Sequence, residues 1–408
     1  MKVQRIQTPV AILLAILCAI SLALAEEQSA DLKSIVEGNT AFALDLYSVL
    51  KKEKGNLFFS PYSISAALAM TYGGTRGNTA EEMEKALHFT LGAKKTHPAF
   101  AEIDATLSEV QKKGKVQLHV ANSLWPQRDY PFLPEYLTLT KQHYGVSVTP
   151  VDYVKATEKA RKIINKWVED ETKKKIKDLI RQGDLDPLTV LVLVNAIYFK
   201  GNWENQFDSD YTTESDFTLF NGKKKQVSMM YQKGIFGYRE LKDVQVLELP
   251  YVGKQLSMFI ILPRNARGLR NIENNLTEGN LRSWISRLPR EEVLVYLPKF
   301  KITWGTFELN KPLTALGIKD AFVSGRADFS GMDGTKTLFI GLVLHKAFVE
   351  VNEEGTEAAA ATAVVMKRGA PQTLIFRADH PFLFMIRDNT TGSILFLGRV
   401  VDPSIKGE

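Results

Sequence analysis

Between residues 190 and 401 the sequence carries a succession of short apolar runs rich in β-branched and aromatic residues, with no helical pattern alternating with them. The runs are Val190–Phe199, Val244–Leu249, Ser257–Leu262, Val293–Leu297, Ala347–Val351, Phe382–Ile386 and Leu395–Val401, each bounded by turns. A parallel α/β sheet needs a helix between successive strands, so this half of the chain argues against that class. The helical patterns come first. Asp31–Lys52 repeats Ile35, Phe42, Leu46 and Leu50 at helical spacing, and Asn56–Pro61 reads as a short strand stopped by proline. Ser60 or Ser63 is placed to cap a helix over Ile64–Tyr72, and Thr79–Glu82 fits a capping box for a helix through Leu87. Lys155–Arg181 reads as one long amphipathic helix with Ile163, Ile164, Trp167, Ile176 and Ile180 on its inner stripe. Helices early and strands late give an α+β class. No linker-like stretch and no internal repeat divides the 408 residues, so one large domain is expected over 26–408.

Residues 1–25 are set apart. Lys2 and Arg5 precede an apolar run from Val10 to Leu22, and Ala23-Leu24-Ala25 stands directly before Glu26-Glu27. That layout is a secretory signal peptide, and the run is shorter than the roughly 20 residues that span a bilayer. A lipoprotein reading of Cys18 suffers from Leu17 beside it, where a small residue would be needed. Cleavage after Ala25 would remove Cys18, the only cysteine, leaving an exported domain with no disulfide. Such a domain must rely on a full hydrophobic core. With 45% hydrophobic and 24% charged residues the composition is globular, and a net charge of +6 is too mild to imply nucleic acid. Secretion, no membrane attachment and a monomer are expected.

One stretch does not fit a compact end to a domain. After the strand Ala347–Val351 come Glu353, Glu354, Gly355, Thr356, Glu357, Ala358, Ala359, Ala360, Ala361 and Thr362, followed by Ala363-Val364-Val365-Met366-Lys367-Arg368-Gly369-Ala370-Pro371. With period two, Thr356, Ala358, Ala360, Thr362, Val364 and Met366 share a face that is wholly uncharged and small at its start. The segment can lie as a strand over a core. The same alanines also suit a helix, an exposed loop or a plain linker.

With these residues in view, the chain resembles the serpins over essentially all of 26–408. The motifs run in family order. They are Asn56-Leu57-Phe58-Phe59-Ser60-Pro61-Tyr62-Ser63-Ile64 with Ala67-Leu68-Ala69-Met70, then Asn195-Ala196-Ile197-Tyr198-Phe199-Lys200-Gly201-Asn202-Trp203. Ala327-Asp328-Phe329-Ser330-Gly331-Met332, His345-Lys346-Ala347, the Glu353–Thr362 stretch and Ala378-Asp379-His380-Pro381-Phe382 follow. The resemblance implies three β-sheets, about nine helices and an exposed reactive-centre loop at about 353–376. It implies suicide inhibition of a serine protease: the protease attacks the loop, forms an acyl-enzyme through its own serine, and is trapped when the cut loop inserts into the central sheet. Glu353 to Thr362 would be the hinge, Ser60, Ser63, Asn195 and His345 the shutter where the strands part, and Trp203 the breach residue above it. A charge on an inward hinge position would carry a desolvation cost of several kcal/mol. Thr356, Ala358, Ala360 and Thr362 carry none, which favours an inhibitor over a non-inhibitory carrier, storage or chaperone relative.

The bait residue stays open. Family spacing from Gly355 puts the scissile bond between Gly369 and Ala370, suiting a small-pocket protease of elastase or subtilisin type. A loop one residue shorter puts it after Arg368, which suits the acidic pocket of a trypsin-like or dibasic-cleaving enzyme. Pocket chemistry favours Arg368. A secreted hydrolase using Ser60 or Ser330 is the enzymatic rival, weakened by the lack of a G-x-S-x-G elbow. Lys94-Lys95, Lys112-Lys113-Gly114-Lys115 and Lys173-Lys174-Lys175 with Lys177 are candidate polyanion sites, though a solvated helix face is the simpler reading. The six histidines, His88, His97, His119, His143, His345 and His380, show no metal-ligand spacing. No cofactor is expected. Asn275-Leu276-Thr277 and Asn389-Thr390-Thr391 are glycosylation sequons if the source cell glycosylates.

Overall fold

A computed structural model describes residues 7–113, 116–146, 148–356 and 373–405. The first half supplies most of the helix: α1 (Gln7–Leu50), α2 (Pro61–Tyr72), α3 (Gly77–Ala86), α4 (Ala93–Lys113), α5 (Pro134–Tyr144) and α6 (Tyr153–Glu171). Four shorter segments follow: α7 (Leu269–Asn274), α8 (Glu278–Ile285), α9 (Asn310–Ala315) and α10 (Ser330–Asp333). The strands are β1 (Leu57–Phe59), β2 (Val116–Pro126), β3 (Leu191–Asn202), β4 (Thr213–Thr218), β5 (Lys224–Glu240), β6 (Val244–Pro250) and β7 (Leu256–Pro263). They continue as β8 (Arg290–Pro298), β9 (Phe300–Glu308), β10 (Leu342–Val351), β11 (Gly355–Thr356), β12 (Leu374–Arg377), β13 (Phe382–Asp388) and β14 (Ile394–Val400). Among the described residues no helix is long and apolar enough to cross a membrane.

Among the described residues five strands form one sheet, with β2, β3, β10 and β9 side by side and β11 sharing an edge of β3. Nine of the described strands form a second ladder, β1-β14-β13-β7-β6-β5-β8-β12 with β4 on β5. Three sheets were expected, and the difference lies in β5. Its 17 residues pair with β4 and β8 over most of their length and with β6 only from Gly237 to Glu240. One long strand therefore joins what would otherwise be two sheets. The β3–β10 pair is parallel, as is β8–β12. About 140 residues separate β3 from β10, too far apart for helix alternation to betray the pairing.

The core lies between the two sheets and around α2, all twelve of whose residues are buried. Ser60 caps α2, its side chain accepting from the Ser63 N–H, and Pro61 takes the first helical position where no N–H is needed. A second cluster joins the opposite face of β3 to α6.

Two helix expectations are corrected. The long helix stops at Glu171 rather than Arg181, because Lys173 and Lys174 adopt φ of +52° and +62° and turn the chain. Ile176 and Ile180 still reach the core, and Asn165 satisfies Ile180 through both its N–H (2.8 Å) and its carbonyl (2.9 Å). Ile163 instead is 43% exposed. The helix expected from Thr79 starts two residues earlier at Gly77, so Thr79 and Glu82 form no capping box. Thr79 Oγ1 accepts from the Asp328 N–H, and Glu82 accepts from the N–H groups of Lys319 and Asp320, tying α3 to distant chain.

Candidate functional site

β3 and β10 pair from Val192–Leu342 to Tyr198–Phe348 and then part. In the middle of that pairing the register aligns three polar residues across three strands: Asn122 on β2, Asn195 on β3 and His345 on β10. Ser60 and Ser63, at the start of α2, lie beneath them. The Ser60 N–H donates to His345 Nε2 (3.2 Å), so the imidazole proton sits on Nδ1 and is donated to Asn195 Oδ1. Asn195 Nδ2 in turn donates to Ser63 Oγ (2.6 Å) and to Asn122 Oδ1. Ser60 Oγ donates to the Leu395 carbonyl (2.6 Å) and accepts from the Ser63 N–H (3.2 Å). His345 is fully buried, and burial pushes its imidazole down to about 3. A buried polar chain of this kind is stable only while every member is paired, so parting β3 from β10 has a defined cost. The same geometry removes the enzymatic rival. His345 meets Ser60 at its backbone nitrogen rather than at its hydroxyl, and Ser330 Oγ donates to Asp328 (2.6 Å).

Above the point where the strands part, the chain leaving β10 turns back at Asn352. The Asn352 side-chain oxygen accepts from the Glu354 N–H (3.1 Å) and the Gly355 N–H (3.3 Å), an Asx turn that reverses direction within four residues. Gly355 and Thr356 then pair antiparallel with Asn202 and Gly201 of β3. Gly201 already pairs with Val116 of β2 on its other side, so β11 occupies the same edge of β3 that β10 occupies lower down. Only glycine suits this seat. Its φ is +148°, and a Cβ would lie 2.2 Å from the Gly201 carbonyl oxygen and 2.6 Å from the Asn202 Cα.

The turn is held from below. The Trp203 N–H donates to the Glu354 carbonyl (2.9 Å) and its indole N–H to the Asn352 carbonyl (3.1 Å). The indole is buried and stacks on Tyr251 with ring centres 4.7 Å apart. Glu353 accepts from Lys299 (2.7 Å) and Thr212 (2.8 Å), and the Phe207 N–H binds its carbonyl. Burial would raise the Glu353 carboxyl, but the Lys299 and Thr212 hydrogen bonds hold it below the usual carboxylate range. Glu354 is pushed up, by burial first and by neighbouring Glu353 second.

The structure thus brings together Ser60, Ser63, Asn195 and His345, and separately Trp203, Glu353, Glu354 and Gly355. Glu357, Ala358, Ala359, Ala360, Ala361, Thr362, Arg368, Gly369 and Ala370 lie outside the described residues. Sequence reasoning missed Asn122, Asn352, Thr212 and Lys299. Asn122 was findable as the polar interruption in Val116–Pro126, and Asn352-x-x-Gly355 as a turn signal. Thr212 and Lys299 reach Glu353 across the fold and left no local mark. Lys173–Lys175 form a loop rather than a helix face, and Lys175 Nζ stands 5.7 Å from the Tyr198 ring centre and 5.8 Å from that of Phe348. Lys95 pairs with Asp31 and Lys112 with Glu109. Among the described residues no group of three His, Cys, Asp or Glu could hold a metal.

A large sheet with two parallel neighbours parting over the root of a returning loop defines a class: proteins able to take a loop of their own back as an extra strand. A profile described as serpin (serine protease inhibitor) matches residues 37–403, and the chain belongs to the serpin family. It has the inhibitory-type fold and acts as a protease inhibitor by loop insertion and acyl trapping, not as an enzyme. It is similar to the leukocyte elastase inhibitor of Homo sapiens, 46% identical over 91% of this chain and 100% of the relative. The Sus scrofa leukocyte elastase inhibitor is 47% identical over the same shares. Among solved structures it is similar to Serpin48, a highly specific serpin of the insect Tenebrio molitor, at 36% identity and TM-score 0.81 over 90% of this chain and 98% of that one. Uncleaved ovalbumin is similar at 33% identity and TM-score 0.82, covering 91% and 100%.

Proposed function

We propose that the chain is an exported, monomeric suicide inhibitor of a serine protease with a small specificity pocket, of elastase type, with Gly369–Ala370 as its scissile bond. The observation that carries the mechanism is the seat of Gly355 and Thr356 on β3, on the edge where a new strand must enter. In the reaction the protease serine forms an ester with the Gly369 carbonyl, the peptide bond to Ala370 breaks, and the amine departs with the 39 residues from Ala370 to Glu408. The freed end then extends β11 between β3 and β10. Roughly a dozen residues gain hydrogen bonds at about 1 kcal/mol net each, on the order of 10 kcal/mol before side-chain burial.

In this reading Glu353 to Thr362 are the hinge. Asn122 joins Ser60, Ser63, Asn195 and His345 as the latch that opens, and Trp203 anchors the turn above it. Export rests on the layout of residues 1–25. The elastase-type target rests on two supports: the relatives named leukocyte elastase inhibitors, and the family spacing counted from Gly355, whose place as the turn glycine is fixed by φ and by close contact. Together they favour Gly369 over the Arg368 that pocket chemistry prefers. Lys367-Arg368 still offers a second bond to a trypsin-like or dibasic-cleaving enzyme.

Incubation with elastase and with trypsin, followed by mass measurement of the released C-terminal fragment, tests both parts. A complex surviving SDS with a fragment beginning at Ala370 supports the reading. A fragment one glycine longer moves the bait to Arg368, and cleavage without a covalent complex refutes inhibition.

A further inference from the structure

A cavity of about 630 Å³ is walled by α2, α4, α5, β2 and the end of α6. Small-molecule sites span about 300–1,000 Å³, so the space suits a ligand of that kind. Its charge is one-sided. The chain carries a net charge of +6, yet the described residues lining the cavity include two carboxylates, Asp104 and Glu171, and no lysine or arginine.

Glu171 is exposed, whereas Asp104 is half-buried. Asp104 Oδ1 accepts from the Tyr62 hydroxyl, and among the described residues nothing donates to Oδ2 and no cation pairs with the carboxyl. Burial pushes this carboxyl up to about 6, against the lowering effect of the Tyr62 hydrogen bond, so it is mostly ionised at neutral pH. The imidazoles nearby supply no positive charge there. His97 is held down to about 4, by burial first and by His143 second, and burial lowers His143 as well. A desolvated carboxylate is ordinarily paired.

The rest of the wall fixes the kind of cation. Tyr62, Tyr144 and Trp167 line the same cavity, and aromatic rings attract an ammonium group while packing against an apolar body. A metal ion does not fit, since among the described residues no group of three His, Cys, Asp or Glu could hold one.

We propose that this cavity is a binding site for a small amphipathic amine, its ammonium paired with Asp104 and its apolar body packed among Tyr62, Tyr144 and Trp167. The site uses no residue of the reactive loop, so it stands whether or not the chain inhibits a protease.

Phenethylamine is the probe, titrated into the full chain by calorimetry at neutral pH beside its neutral isostere phenylethyl alcohol and the anion phenylpropanoate. The amine should bind at one site with Kd below about 1 mM, and the alcohol and the anion at least about tenfold more weakly, as loss of a charge-assisted contact implies. Asp104→Asn keeps an oxygen for the Tyr62 hydroxyl. It should weaken the amine about tenfold and leave the alcohol unchanged, a split that a merely structural role would not produce. Ala105→Trp sets an indole on an exposed position of the cavity wall and should block the amine at the parent melting temperature. Absence of saturable amine binding to the parent would overturn the proposal, as would equal affinity for amine and alcohol. Unchanged amine affinity in a folded Asp104→Asn or Ala105→Trp chain would overturn it too. Should Asp104→Asn fail to fold, the parent's preference for amine over alcohol and the Ala105→Trp variant decide the question.

Discussion

Gly355 crosses Gly201 so closely that a single methyl group on it would fall 2.2 Å from the Gly201 carbonyl oxygen. In the proposed mechanism these two glycines on different strands make the first step of strand addition a matter of backbone contact alone. Gly355→Ala should unseat Gly355 and Thr356 from β3, through both the clash and the φ of +148°. The expected outcome is slower insertion, read as a several-fold rise in the number of inhibitor molecules consumed per protease. An unchanged stoichiometry would contradict it.

Thr356→Arg places a charge on the residue that pairs with Gly201 and must lead the strand inward. Burying an unpaired guanidinium costs several kcal/mol, enough to slow insertion by orders of magnitude. The variant should be cut by the protease and released, with no band surviving SDS.

Bait identity separates cleanly by substitution. Arg368→Ala should leave elastase inhibition within about twofold while abolishing trypsin inhibition, since the trypsin pocket pairs its acid with Arg. Gly369→Arg should do the reverse, because a small pocket has no room for the side chain. Rate constants for both proteases against both variants check this.

Acid should loosen the latch. The unfolded chain takes up a proton at His345 near 6.5, while the folded chain does so only at about 3. Between those values the unfolded state holds more protons, so stability is full above pH 6.5 and falls as pH drops, by about 1.4 kcal/mol per unit. Glu353 acts in the same direction: its carboxyl is held low in the fold, so what it contributes is lost as pH falls below the ordinary carboxylate value. Melting temperatures from pH 7.5 to 4 should decline, and His345→Gln, which cannot take up the proton, should decline less steeply.

Cleavage at the bait should raise the melting temperature. Strand addition on the order of 10 kcal/mol would move a transition of this size by about 12 degrees, readable by calorimetry before and after limited proteolysis. A cut chain that melts with the uncut one would refute strand insertion.

Most of the strands were legible because a fully buried strand writes itself as an apolar run: β3, β6, β7, β13 and β14 lie within a few residues of where Val190, Val244, Ser257, Phe382 and Leu395 open such runs. Termini set by tertiary contacts were not. Ile176 and Ile180 keep helical spacing in the sequence although the chain has left the helix, because their burial is arranged by Asn165 and not by a continued 3.6 period. Thr79 and Glu82 look like a capping box but serve Asp328, Lys319 and Asp320, residues more than 200 positions away. At the site, Ser60, Ser63, Asn195 and His345 were recognisable only as a set of motifs; their meeting required the parallel pairing of β3 with β10, which no local pattern announces. Asn122 escaped for the same reason, being one asparagine on a strand whose partner lies some 70 residues on.

If β3 and β10 part as proposed, the first turn of α2 is held in place, because every residue of that helix is packed in the core. Ser60 and Ser63 would then be a fixed jamb against which a door swings, with the expense of opening concentrated in five residues rather than spread along the chain. Substitutions there would change how long the molecule waits in its armed form while leaving its resting shape the same, so shelf life and static structure should vary independently.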